Sequence, residues 1–134
     1  AAVREIVLRY QRELENASDQ ESSRERKLEE LFDFLWDACF EGNLLTCWME
    51  VMVAARTDAA LRPAVRETDF NAIESMRALG ARCESHDVPR KIAAADLIEL
   101  TVYLLRGMVV HRGVHLAESN KKKLFTIWKK LALC

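Results

Sequence analysis

Proline and glycine are scarce, with two and four in 134 residues. A fold of many short strands needs such residues at each reversal, so their scarcity argues for long helices with few connections. No charge of one sign dominates. Twenty basic residues stand against 21 acidic ones, a formal net charge of -1. A surface that binds nucleic acid along a whole chain carries a basic excess instead. Cys39, Cys47, Cys83 and Cys134 form no C-x-x-C pair, which argues against a zinc site or a dithiol redox motif and for free thiols in a reducing cytoplasm. Cys39 and Cys47 could approach each other around Gly42, but spacing does not supply disulfide geometry. The longest apolar stretch, "IAAADLIELTVYLLRGMVV", holds Asp96, Glu99 and Arg106, so it reads as a core helix and not a membrane span. There is no signal-peptide pattern. The chain opens without Met inside a helical pattern, from which a missing upstream segment is expected. A Gly-rich phosphate loop, G-x-S-x-G and paired carboxylates beside a base are also absent. No enzymatic chemistry and no cofactor are expected.

What is present is helical periodicity. Half the residues are apolar and 31% are charged, ordinary values for one soluble domain with one core. Val3, Ile6, Val7, Tyr10 and Leu14 make one stripe, and the polar run 15–23 breaks it. Leu28, Leu31, Phe32, Leu35 and Cys39 make a second, stopped by Gly42 and Asn43. "NLLTCWMEVMVAAR" is apolar nearly all round, with Thr46 and Glu50 on one edge, and so is expected in the middle of a bundle. In "VMVAARTDAALRPAV", Arg56 suits the end of one helix and Asp58 the cap of the next, while Pro63 kinks or delays its first turn. The next helix carries Leu61, Val65, Ala72, Ile73, Met76 and Leu79 and stops at Gly80. Asp87 before Pro89 is expected to open a fifth helix whose apolar arc is very wide. Leu97, Leu100, Leu104 and Met108 lie on one side of it, and Ile98, Val102, Leu105 and Val109 on the other. One half suits the core; the second predicts a partner. A last helix, from about Asn120, sets Leu124, Phe125, Ile127, Trp128 and Leu131 against five lysines read as a solvated face. The expected architecture is all-α: one bundle domain, residues 1–134, of six helices.

Polar constellations are few. His111 and His115 are four apart, but Gly113 lies between them. With Glu118 they are the only candidate metal set, and exposed or capping histidines are the plainer reading, since zinc needs three or four ligands. Glu99, Tyr103 and Arg106 share a stripe that is either a polar anchor or a solvated edge. Glu50 either orients a ligand or points to the rim beside Thr46. Phe32, Trp36, Phe40, Trp48, Met49, Met52, Phe70 and Met76 could wrap an apolar ligand, although periodicity alone assigns them to plain core.

Four stretches carry a resemblance. "ARTDAALRPAV" (55–65) resembles the motif joining two helices in the C-terminal domain of TetR-family transcriptional regulators. "LFDFLWDACFEG", "ADLIELTVYLLRGMVVHR" and "KLFTIWKKLAL" follow in that family's order, and Leu105, Arg106 and Gly107 match its Leu-Arg-Gly signature. The resemblance implies an all-α effector-binding and dimerisation domain in the cytoplasm, its last two helices packing on their copies. It also implies a small apolar or aromatic effector held among the middle helices. The expected pocket residues are Trp36, Phe40, Trp48, Met52, Ile73 and Tyr103, with Tyr103 and the Trp side chains as polar handles. The expected homodimer surface is Ile98, Val102, Leu105, Val109, Leu124 and Trp128. The family's three-helix DNA reader has no counterpart here, so operator DNA is expected to be met only through an N-terminal domain that this chain lacks. The rival readings are a helical protein-interaction module without a small-molecule site and, second, a ligand-carrying or enzymatic helical bundle using His111, His115 and Glu118.

Overall fold

The computed structural model describes residues 8, 12, 23–84, 92–111 and 118–133, and these residues are all-helical with no strand. Five helices follow in order: α1 (Arg24–Phe40), α2 (Leu44–Ala55), α3 (Arg62–Ala81), α4 (Ala94–Val110) and α5 (Glu118–Leu133). Of the stripe expected over 3–14, only Leu8 and Arg12 are described, both helical and exposed. The Asp87–Pro89 start signal, Gly113, His115 and Cys134 lie outside the described residues.

Local chemistry sets the first boundaries. Ser23 is extended, and its hydroxyl accepts the Arg26 N–H at 3.2 Å, a side-chain cap for α1. Leu28, Leu31, Phe32 and Leu35 recur at helical spacing and are buried. The helix stops before Gly42, whose φ of 71° lies in the left-handed region that favours glycine. At the hinge, α2 ends at Ala55 with Arg56 as its C-cap residue. Asp58 closes the turn ahead of α3, accepting the N–H groups of Ala60 and Leu61 at 3.0 and 3.2 Å, but it is not the helix cap: α3 begins later, at Arg62, with Leu61 as its N-cap residue. Pro63 therefore sits in the first turn of this later start, where its missing N–H costs nothing. Arg62 also reaches back, donating Nε–H to the Ala55 carbonyl and Nη2–H to that of Arg56, so the start of one helix satisfies the end of the other.

Helix α4 is the centre of the bundle, packed against α1, α2 and α3. Ala94, Leu97, Ile98, Thr101, Val102, Leu105, Met108 and Val109 are all buried within the one chain. The supposed surplus half of this helix is thus already covered. Each such aliphatic side chain contributes about 2 kcal/mol by leaving water. Close approach to α3 depends on Gly80: a Cβ there would lie 2.7 Å from Ile98 Cγ1 and 3.0 Å from the Ala94 carbonyl oxygen. The start of α4 is also not where sequence signals put it. Ile92 and Ala93 are non-helical, and the Ala94 N–H is taken by Glu84 Oε1 at 2.5 Å. Arg24 holds that carboxylate with Nε–H at 2.9 Å and donates Nη2–H to the Ile92 carbonyl. A residue ten positions upstream is this helix's cap.

Helix α2 departs furthest from expectation. It is the most apolar helix, yet Ala55 is its one fully buried residue, and Leu44, Val51 and Val53 face solvent. It lies on the rim, because α1, α3 and α4 already close the core. Helix α5 runs antiparallel to α1: Lys129 bonds Asp33 at 2.8 Å, the Phe125 ring is 5.0 Å from that of Trp36, and Lys121 Nζ is 5.8 Å from the Phe40 ring. The five-lysine solvated face is therefore smaller than expected. Lys121 is fully buried and Lys129 is mostly covered, which leaves Lys122, Lys123 and Lys130 exposed.

Candidate functional site: a polar junction and an apolar face

The most structured polar feature joins three helices. Arg106, on α4, forks onto Asp69 of α3, with Nη2 to Oδ1 at 2.5 Å and Nη1 to Oδ2 at 3.2 Å. Trp48, on α2, donates its indole N–H to Asp69 Oδ1 at 3.2 Å. The two charged side chains are 10% and 20% exposed, and Arg106 Nε is buried without an acceptor among the described residues. The Arg106 guanidinium also lies 5.9 Å from the Tyr103 ring, whose hydroxyl is raised above its usual pKa by desolvation and then by Glu99. Of the Glu99–Tyr103–Arg106 stripe, Arg106 faces inward. Glu99 accepts from Arg77, whose own pKa is raised by its bonds to Asp96 and Glu99. Asp69 was not singled out from sequence, where it is one acid among 21. Its i+4 neighbour Ile73 is core, and that inward stripe was the available signal.

The expected pocket residues line neither of the two grooves described below. Trp36 and Phe40, with ring centroids 4.3 Å apart, pack against the core cluster that contains Ile73, Trp36 also meets Phe125, Trp48 is tied to Asp69, and Tyr103 is half exposed. Met52 is partly buried. Two open grooves are instead lined by the α2–α3 corner. One, of about 570 Å³, is bounded by Ala59, Arg62, Pro63, Arg66, Glu67 and Phe70, and one of about 410 Å³ by Val53, Ala54, Arg56 and Thr57. Glu50 is exposed, on the rim, while Thr46 Oγ1 is buried without an acceptor or donor partner among the described residues.

The expected dimer residues need correction. Ile98, Val102, Leu105 and Val109 are buried inside the chain. Trp128 turns inward too, donating its indole N–H to Thr101 Oγ1 at 2.9 Å. Leu124 alone of the six is exposed. A different stripe of the same helix faces out: Leu100, Tyr103, Gly107 and Val110, with open space where a Gly107 Cβ would be. On α5, Leu124 and Leu131 are exposed about one turn before and after Trp128, which contacts Thr101, and Ile127 beside Trp128 is exposed as well. Because Arg77 meets Asp96 while Asp69 meets Arg106, α3 and α4 are antiparallel. Exposed apolar stripes thus remain on α4 and on α5, which also carries the exposed Lys122, Lys123 and Lys130, while Asp96 and Glu99 of α4 are paired with Arg77.

The chain matches no family model, no curated protein and no solved structure. Its chemistry has to be read from its own residues.

Those residues show unreactive thiols at the core. Burial pushes Cys39 up to about 12 against a small opposing pull from Arg106, and it pushes Cys83 up to about 11. Cys47 is exposed. Among the described residues no group of three His, Cys, Asp or Glu is placed to hold a metal ion, and no helix is long and apolar enough to cross a membrane.

Proposed function

We propose that this chain is the homodimerising, small-molecule-sensing regulatory domain of a TetR-like transcriptional regulator, with DNA read by a segment outside it. The observation that supports this most is the exposed face of the last two helices. Leu100, Tyr103 and Val110 lie in one stripe of α4 with Gly107, and Leu124, Ile127 and Leu131 are exposed on α5. Soluble monomers seldom leave so many large apolar groups together in water. Asp96 and Glu99 of α4, which together with Arg77 keep one net negative charge, complement Lys122, Lys123 and Lys130 of α5 when α4 of one copy lies against α5 of the next. A two-fold pairing makes that contact twice. Regulation then works by population shift: an effector that prefers one spacing of the two subunits favours it by its differential affinity and no more.

Sedimentation equilibrium of the wild type and of Leu131→Glu tests the reading. Leu131 is 71% exposed, so the variant keeps its fold, and its mass should fall from dimer to monomer at micromolar concentration. A monomeric wild type refutes the dimer. Leu105→Glu is no use as a probe, because Leu105 is fully buried and a charge there unfolds the chain. The second reading, a helical interaction module without a small-molecule site, is favoured by the expected pocket residues lining neither groove, Trp36, Phe40 and Ile73 serving as core instead. A monomer whose apolar face is blocked by Leu131→Glu from binding a different protein would decide for it.

A further inference from the structure

The α2–α3 corner offers something the dimer face does not. Arg62, Arg66 and Phe70 are four residues apart in one row of α3, with Pro63 and Glu67 in the row beside them, and together with Ala59 they line a groove of about 570 Å³. That volume is in the range that holds small organic molecules. Arg62 is immobilised by its bonds to the Ala55 and Arg56 carbonyls, which leaves Nη1 without an acceptor among the described residues. Arg66 has no acceptor among the described residues. Phe70 is 63% exposed, an aromatic wall with one face in water. Two guanidiniums against the single carboxylate of Glu67 leave one positive charge in excess.

We propose that this groove binds a small organic monocarboxylate with an apolar body. The carboxylate lies between Arg66 and the free Nη1 of Arg62, and the apolar body lies along Phe70 and Pro63. One negative charge neutralises the groove, whereas a dianion leaves Glu67 facing excess charge of its own sign. A fixed guanidinium loses little freedom on binding, which favours Arg62 as the orienting group and Arg66 as the closing one. The proposal gives a ligand class and a location to the sensing half of the function above, and it is independent of the dimer.

Calorimetric titration with 1-naphthoate, with octanoate and with the neutral 1-naphthalenemethanol tests it. The wild type should bind at least one of the two acids saturably and the alcohol at least about tenfold more weakly, the usual worth of a charge-assisted hydrogen bond. Arg66→Glu should weaken acid binding about tenfold or more and Phe70→Ala several-fold, with unchanged circular dichroism, since both side chains are exposed. Failure of both acids to saturate, equal binding of the alcohol, or affinities unchanged in both variants overturns the proposal. Sedimentation of the same samples reports separately on the dimer, so the failure of one reading is distinguishable from that of the other.

Discussion

Replacing Asp69 by Ala removes the acceptor that ties α2, α3 and α4 together. Three hydrogen bonds go at once, two from Arg106 and one from Trp48. What matters more is what stays behind, a guanidinium only 10% exposed whose Nε already has no acceptor among the described residues. Breaking a buried pair from one side costs about 3 to 5 kcal/mol. Asp69 keeps a fifth of its surface in water, so the lower end, about 3 kcal/mol, is the expected loss. With an m-value of about 2 kcal/mol/M, the urea midpoint should fall by about 1.5 M, followed by far-ultraviolet circular dichroism. Arg106→Met alone should cost less, because the stranded carboxylate is the more hydrated partner. The double variant Asp69→Ala/Arg106→Met should be less destabilised than the sum of the singles by about 2 kcal/mol, since it leaves no unpaired charge behind. Additive losses, or a cost below about 0.5 kcal/mol for Asp69→Ala, would refute the claim that this junction holds the helices together.

Two glycines should respond in opposite directions. Gly80→Ala forces a Cβ against Ile98 and the Ala94 carbonyl and should destabilise by about 1 to 3 kcal/mol, whereas Gly107→Ala meets nothing within 4 Å and should gain up to about 1 kcal/mol of helix propensity; thermal melts of both, at a concentration where the chain is monomeric, check the pair. In a Cys134→Ser background at pH 8, Ellman's reagent should label Cys47 rapidly, the partly covered Cys39 more slowly and Cys83 only on unfolding, because burial holds the last two as thiols. The same shifts set a pH dependence. Unfolded thiols ionise from about 9 and the folded ones only at about 11 to 12, so their contribution is complete below pH 9 and is lost as the pH rises through that window. A urea midpoint that stays flat between pH 8.5 and 11 in the wild type would contradict this assignment.

Periodicity and punctuation were enough for the helical class and for several boundaries. The spacing of Leu28, Leu31, Phe32 and Leu35 marks the inward side of α1, and Gly42 and the Arg56–Asp58 hinge act where such residues act in any chain, through φ and through unsatisfied backbone groups. These are local properties, carried by a few neighbouring residues. The partners were not legible. That α4 is buried along most of its apolar arc while the richer α2 is left on the rim depends on which helices arrive beside each, and hydrophobicity alone cannot rank two apolar helices for the centre. Asp69 reaches Arg106 across 37 positions, and Glu84 caps a helix it does not precede directly, held there by Arg24 from 60 positions away. Sequence alone determined how much apolar surface each helix must hide. Only the tertiary packing decided which stripe remained in water, because burial is a property of pairs of surfaces and a single helix contains just one of them.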